Sequence, residues 1–156
     1  MTPRDGSPGV RFPPPLIHLG AILTGAALGV PLPQQAPWPP RGGGVLGVLF
    51  VVAALLLNIS GFMALRRAGT TIRPDRGATA LVTGGPYRFS RNPLYISLAL
   101  MHAGVSIWAR SVWALVMLVP ALILVDRFVI RREERHLQEV FGGAYRDYRR
   151  RTRRWL

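Results

Sequence analysis

The chain has 156 residues, 49% of them hydrophobic and 17% charged, with 20 basic side chains against 7 acidic and a net charge of +13. One domain fits that length, and two would be cramped. Every basic residue is Arg, and charge and apolarity occupy separate stretches. A soluble nucleic-acid binder would spread its charge over a polar surface, so an integral membrane protein with no nucleic-acid partner is expected. The absence of Cys excludes disulfides, thiolate zinc sites, a thiol nucleophile and S-acylation.

Residues 1–15 are rich in Pro and Gly and read as a disordered N-terminal segment, ahead of a single membrane domain over 16–156. Four apolar stretches follow, over 16–32, 44–65, 93–109 and 112–130, against about 20 residues for a bilayer core of about 30 Å. A signal peptide is the rival reading of the first. Arg4 and Arg11 precede it, but so do Pro13, Pro14 and Pro15, and no small-x-small cleavage site follows, which favours a retained span. Residues 31–44 (PLPQQAPWPPRGGG) form a polar loop whose Trp38 suits the membrane interface. Only Arg110 and Ser111 separate the third and fourth stretches, which predicts an antiparallel hairpin.

The loop over 66–92 carries six Arg and the tail from 131 carries nine, whereas Arg41 and Arg110 stand alone in the other two connections. That bias places the N-terminus, the middle loop and the tail on the cytoplasmic side. The expected fold is an all-α integral membrane protein with about four transmembrane helices and a cytoplasmic helical C-terminal tail. A bacterial inner (plasma) membrane is its expected location.

Inside the spans, Gly25 and Gly29 make a GxxxG pair suited to close helix packing within the monomer. Asn58, Ser60 and His102 are expected to hydrogen-bond across the bundle. His18 and His136 lie on other segments, so no metal-ligand spacing emerges. On a continuous helix Asp126, Ile130, Glu133 and Leu137 share one stripe, with Glu134 beside it. Carboxylates then cluster where the helix leaves the membrane. Ion pairing with Arg127, Arg131 and Arg132 is the alternative.

In the middle loop, Gly84, Gly85 and Pro86 force a turn, and Pro93 suits the first position of the next helix. That helix start, beside Arg88 and Arg91, suits an anionic group. Tyr87, Phe89 and Tyr95 offer flat faces to a heterocycle. One segment thus supplies amides, Arg and aromatics, and the other supplies carboxylates. The pair suits a zwitterionic nucleoside such as S-adenosylmethionine, and any anionic cofactor with a cationic part would fit nearly as well.

The run GPYRFSRNPLY, followed after a helical hairpin by EERHLQEVFGGAYRDY, resembles the isoprenylcysteine carboxyl methyltransferase and phospholipid methyltransferase group of membrane enzymes. The resemblance covers about residues 69–148. It implies a helical membrane domain that binds S-adenosylmethionine at its cytoplasmic face and takes a lipophilic small molecule or lipid as acceptor from the bilayer. By position it implies cofactor-site roles for Thr79, Ala80, Leu81 and Val82, for Tyr87, for Asn92, Pro93, Leu94 and Tyr95, and for Glu133 and Glu134. The two glutamates would take the cofactor's amino or ribose groups, and Arg88 or Arg91 its carboxylate. No general base is identifiable.

Two positions depart from the isoprenylcysteine enzymes. Asn92 stands where they have His, and Val129 where they hold the acceptor carboxylate with Arg. A prenylated-protein acceptor is therefore not expected. Two other classes remain: a small transporter, which would need a carboxylate deep in the membrane, and a non-catalytic protein that holds anionic headgroups with its tail Arg.

Overall fold

Proline fixes φ near the helical value and needs no N–H in a first turn, and it opens three helices here. They are α1 (Pro14–Leu28), α2 (Pro40–Arg67) and α3 (Pro93–Trp108). The structure is a computed structural model describing residues 13–70 and 78–156. Residues 1–12 of the expected N-terminal segment lie outside those residues, as do Arg73 and Arg76 of the middle loop.

After a turn at Arg110, which has φ 55°, Ser111 caps α4 (Val112–Val116) by accepting from the Ala114 amide. Pro120 cannot donate to the Val116 carbonyl, and the helix is broken at Met117 before α5 (Leu118–Val125) resumes. A π-turn over Asp126–Ile130 leads into α6 (Arg131–Arg151). Gly142, at φ 50°, ψ −113°, breaks α6 in its middle. Only glycine takes that conformation without strain. Among the described residues there is no strand, so the fold is all-helical.

The 28 residues of α2 and the path from Val112 to Arg151 are long and apolar enough to cross a membrane. At 15 and 16 residues, α1 and α3 are shorter; α1 stops at Leu28, four residues before the predicted end. Val45, Leu49, Val52, Leu56 and Ile59 all point outward from α2. A helix so apolar and so bare is stable against lipid rather than water.

Small residues let the helices close on one another. A Cβ on Gly25 would overlap the Ala114 backbone, and one on Gly47 would sit 2.8 Å from the Gly104 carbonyl oxygen. The GxxxG pair is therefore used within the monomer. Asn58 donates to Ser97 across α2 and α3 at 3.0 Å, while Ser60 turns back to the Leu57 carbonyl of its own helix. The order in space is α2, α3, then α1 against α4 and α5; α1 and α2 flank α3 with next to no contact between them.

The two ends of the bundle are tied differently. At the Arg-poor end, Trp38 donates to the Ile107 carbonyl, Arg110 to that of Trp38, and Trp113 to that of Leu32. At the other end the chain's last residues return to the middle loop. The Arg91 amide donates to the Arg153 carbonyl at 2.9 Å, and Ser90 Oγ and Asn92 Nδ2 both donate to that of Arg154.

Candidate functional site

The returning tail brings the two halves of the sequence pattern onto one cavity of about 310 Å³, at the Arg-rich end. That volume is at the lower end for small-molecule sites. Leu94, Tyr95 and Leu98 of α3 line it, flanked by Pro14 and Pro15 of α1 and by Asn58 and Leu65 of α2. Ala80, Leu81 and Val82 of the loop and the first and second halves of α6 complete it.

The ionic groups are arranged unequally. Glu134 is buried and doubly held: Arg91 approaches at 3.0 Å, and Arg154 grips it through Nη2 at 2.6 Å and Nε at 3.2 Å. Such two-pronged pairs are directional as well as strong. Glu133, one residue earlier, has no cation among the described residues; it accepts from the Tyr95 hydroxyl at 2.8 Å. Burial pushes Glu133 up to about 7, with the Tyr95 hydrogen bond opposing and the Glu134 charge adding. Of the two carboxylates, Glu133 is the one left for a cation.

The aromatic wall comes from both halves. Tyr148 Oη donates to the Tyr87 carbonyl at 2.6 Å, and Tyr145 stacks edge-on against Tyr148. Burial raises all three hydroxyls well above the ordinary tyrosine range, Tyr145 to about 12. These phenols are hydrogen-bond groups, not bases. Three buried polar atoms around the cavity have no partner among the described residues: Arg91 Nε, His136 Nε2 and Tyr145 Oη. Leaving such groups unpaired is costly, and a polar ligand would satisfy them.

Of the residues the sequence singled out, Ala80, Leu81, Val82, Tyr87, Arg91, Asn92, Pro93, Leu94, Tyr95, Glu133 and Glu134 line this cavity. Thr79 does not: its amide and hydroxyl are spent on Thr70 and the Gly69 carbonyl, which pin the loop. Arg88 is exposed and lies over the Phe89 ring at 5.2 Å, outside the cavity. Asn92 lines the cavity while its amide group holds the tail.

The stripe of Asp126 with Glu133 is not formed. The π-turn takes up an extra residue, so about eight residues rather than seven complete two turns. Asp126 therefore aligns with Glu134, and both reach Arg154, Asp126 at 3.3 Å. Asp126 also takes Arg131 at 2.8 Å, which is part of the ion-pairing alternative. Val129 is 1% exposed in a core with Val125 and Ile130 and does not line this cavity.

Sequence reasoning missed His136, Tyr145, Tyr148 and Thr70. The spaced tyrosines were in the pattern, but only the kink at Gly142 turns them inward. It also missed that His18 meets His102, with Nδ1 to Nδ1 at 3.1 Å. His102 Nε2 faces the Ala114 carbonyl at 2.9 Å and so carries its proton there, which makes His18 the donor of the pair.

No solved structure matches the chain significantly. An uncharacterized protein of Haemophilus influenzae is 33% identical over 63 residues, 40% of this chain and 100% of that protein. The cobalt-zinc-cadmium resistance protein CzcN of Cupriavidus metallidurans is 36% identical over 77 residues, 49% of this chain and 35% of that protein; this chain spans about a third of CzcN's length. The phospholipid methyltransferase family model matches residues 43–144, from α2 through the cavity to the first half of α6. With more than half its length inside that match, and both motif halves on one cavity, the chain belongs to the phospholipid methyltransferase family.

Proposed function

We propose that the protein transfers a methyl group from S-adenosylmethionine to a lipophilic acceptor at the cytoplasmic membrane face. The observation that carries this reading is the cavity. Among the described residues, three buried polar atoms that line it have no hydrogen-bonding partner, and one carboxylate, Glu133, has no cationic one. The bound cofactor would supply a sulfonium methyl already activated for transfer.

The chain's own part is to bind, orient and exclude water. Glu133 offers its carboxylate to the cofactor's amino or ribose groups, and its negative charge tolerates the sulfonium. Arg91, held in place by Glu134 and the Arg149 carbonyl, turns its free Nε to the cofactor carboxylate. Tyr87, Leu81 and Val82 provide the flat apolar slot for a base. The gap between α1 and α2, floored by α3, admits an apolar acceptor sideways from the bilayer. Position 129 is core, and Asn92 cannot act as an acid or base near pH 7. Neither recreates the carboxylate grip that a prenylcysteine acceptor would need, and a carboxylate desolvated alone costs several kcal/mol.

Isothermal titration of detergent-purified protein with S-adenosylmethionine tests the cofactor. We expect saturable binding that Glu133→Ala and Glu134→Ala each weaken about ten-fold or more, the worth of about 1.5–3 kcal/mol for a hydrogen bond to a charged group. Absent binding by the folded wild type, or unchanged affinity in both variants, would refute it. Methyl transfer to extracted membrane lipids but not to farnesylcysteine is the expected acceptor result.

A further inference from the structure

The opposite face of α3 borders a second, larger cavity of about 800 Å³ that neither sequence motif touches. Ile96, Ala99, Leu100 and Ala103 share one face of α3 at helical spacing and line it with Phe50 of α2 and Leu118 and Leu122 of α5. From Leu118 to Arg131 this groove runs about 20 Å along the helix axis. Ile123, half exposed, stands on its rim. The walls are those of membrane-facing helices, so the groove opens to lipid chains and not to water.

Its mouth is different. Arg127, Arg131 and Asp126 gather there with Trp155, at the level where an aromatic ring and Arg meet headgroups. Both oxygens of Asp126 are taken, Oδ2 by Arg131 and Oδ1 by Arg154. Arg127 is exposed and makes no hydrogen bond or ion pair among the described residues. An apolar slot thus ends at a free guanidinium whose one neighbouring carboxylate is already neutralised.

We propose that this groove holds an anionic phospholipid of the cytoplasmic leaflet, its acyl chain against α3 and its phosphate on Arg127 with help from Arg131. Guanidinium suits phosphate through paired hydrogen bonds. An ethanolamine or choline headgroup finds no carboxylate oxygen free to take its cation, so the site selects net negative charge. The bound lipid is a resident, not an acceptor: the Asp126–Arg154–Glu134 bridge stands between this groove and the cavity on the other face.

Native mass spectrometry of the full-length protein in detergent tests this directly, with phosphatidylglycerol and phosphatidylcholine of matched chains. We expect one phosphatidylglycerol retained about ten-fold in preference to phosphatidylcholine. Arg127→Gln should bring the two lipids near parity, and Ala99→Phe, which fills the groove, should lower retention of both. Size-exclusion elution checks that each variant folds, and raising salt on the wild type should narrow the preference if a variant fails. Equal retention of the two lipids by wild type, or a preference untouched by both Arg127→Gln and salt, overturns the proposal. Because the readout is lipid retention, failure of methyl transfer leaves it standing, and its own failure leaves the methyltransferase reading intact.

Discussion

The two ends of the helical bundle solve opposite problems. At the Arg-poor end backbones nearly touch, Gly25 against Ala114 and Gly47 against Gly104, and Trp38 and Trp113 tie the loops to helix carbonyls. At the Arg-rich end ion pairs and hydrogen bonds from the returning tail add to the packing. Closed apolar contacts hold the bundle, which frees the other end to keep a cavity whose polar atoms lack partners. A site that stores unsatisfied groups needs its stability supplied elsewhere.

The largest effects should come from reversing this division. Gly25→Leu forces side-chain atoms into the Ala114 backbone, and overpacking of even a yielding core costs about 1–3 kcal/mol. With no yielding side chain to shift, we expect loss of the monodisperse folded peak on size exclusion. A folded, equally stable variant would show that the ends are not distinct.

Sidedness is an all-or-none check on the same contrast. The chain has no Cys, so Gln35→Cys and Arg150→Cys can be labelled singly in intact cells. We expect an impermeant maleimide to reach position 35 and not 150. The reverse pattern would overturn the orientation while leaving the bundle intact.

Within the Arg-rich end, Arg154 serves two carboxylates of unequal burial. Glu134, with its side chain 10% exposed and two Arg partners, should matter more than Asp126, whose partner Arg131 is 57% exposed. Glu134→Ala leaves Arg91 and Arg154 short of an acceptor and should cost about 1.5–3 kcal/mol. Asp126→Ala should cost under about 1 kcal/mol, as exposed pairs do. Thermal unfolding in detergent compares them; equal shifts would mean that the π-turn alignment does not distinguish the two.

The smallest expected effect is the pH response of Glu133. Its folded-state pKa of about 7 lies above the ordinary carboxylate value. Its contribution to stability is therefore full below about pH 4.5 and is lost as pH rises through about 7. Affinity for a cationic ligand runs the other way and grows as the carboxylate ionises. Glu133→Gln should flatten both slopes between pH 6 and 8, read by thermal shift and by titration with S-adenosylmethionine. Parallel slopes in wild type and variant would remove Glu133 from the binding role.

Much of this was legible in the residues. The proline start at 93, the long apolar run of α2, the hairpin at Arg110 and the paired motifs all act through local preference or composition, and each appears in the fold. The starts at Pro14 and Pro40, read as disordered segment and loop, do not follow from it. Even the cavity wall was half readable, because Tyr95 and Glu133 belong to runs whose spacing is distinctive. Other features were not readable. A single π-turn shifts Asp126 from Glu133 to Glu134, and no local signal marks it. Tyr145 and Tyr148 reach the cavity only because Gly142 kinks the helix.

What the sequence alone determined about this protein is its helical membrane class, its asymmetric charge and the two motif segments, since hydropathy, proline geometry and charge act over a few residues. What only the tertiary structure decided is which carboxylate stays free. That depends on Arg154 returning to grip Glu134 and Asp126 across 20 and 28 residues of chain. Such pairing is set by the path of the backbone between the partners, and no short-range preference encodes it.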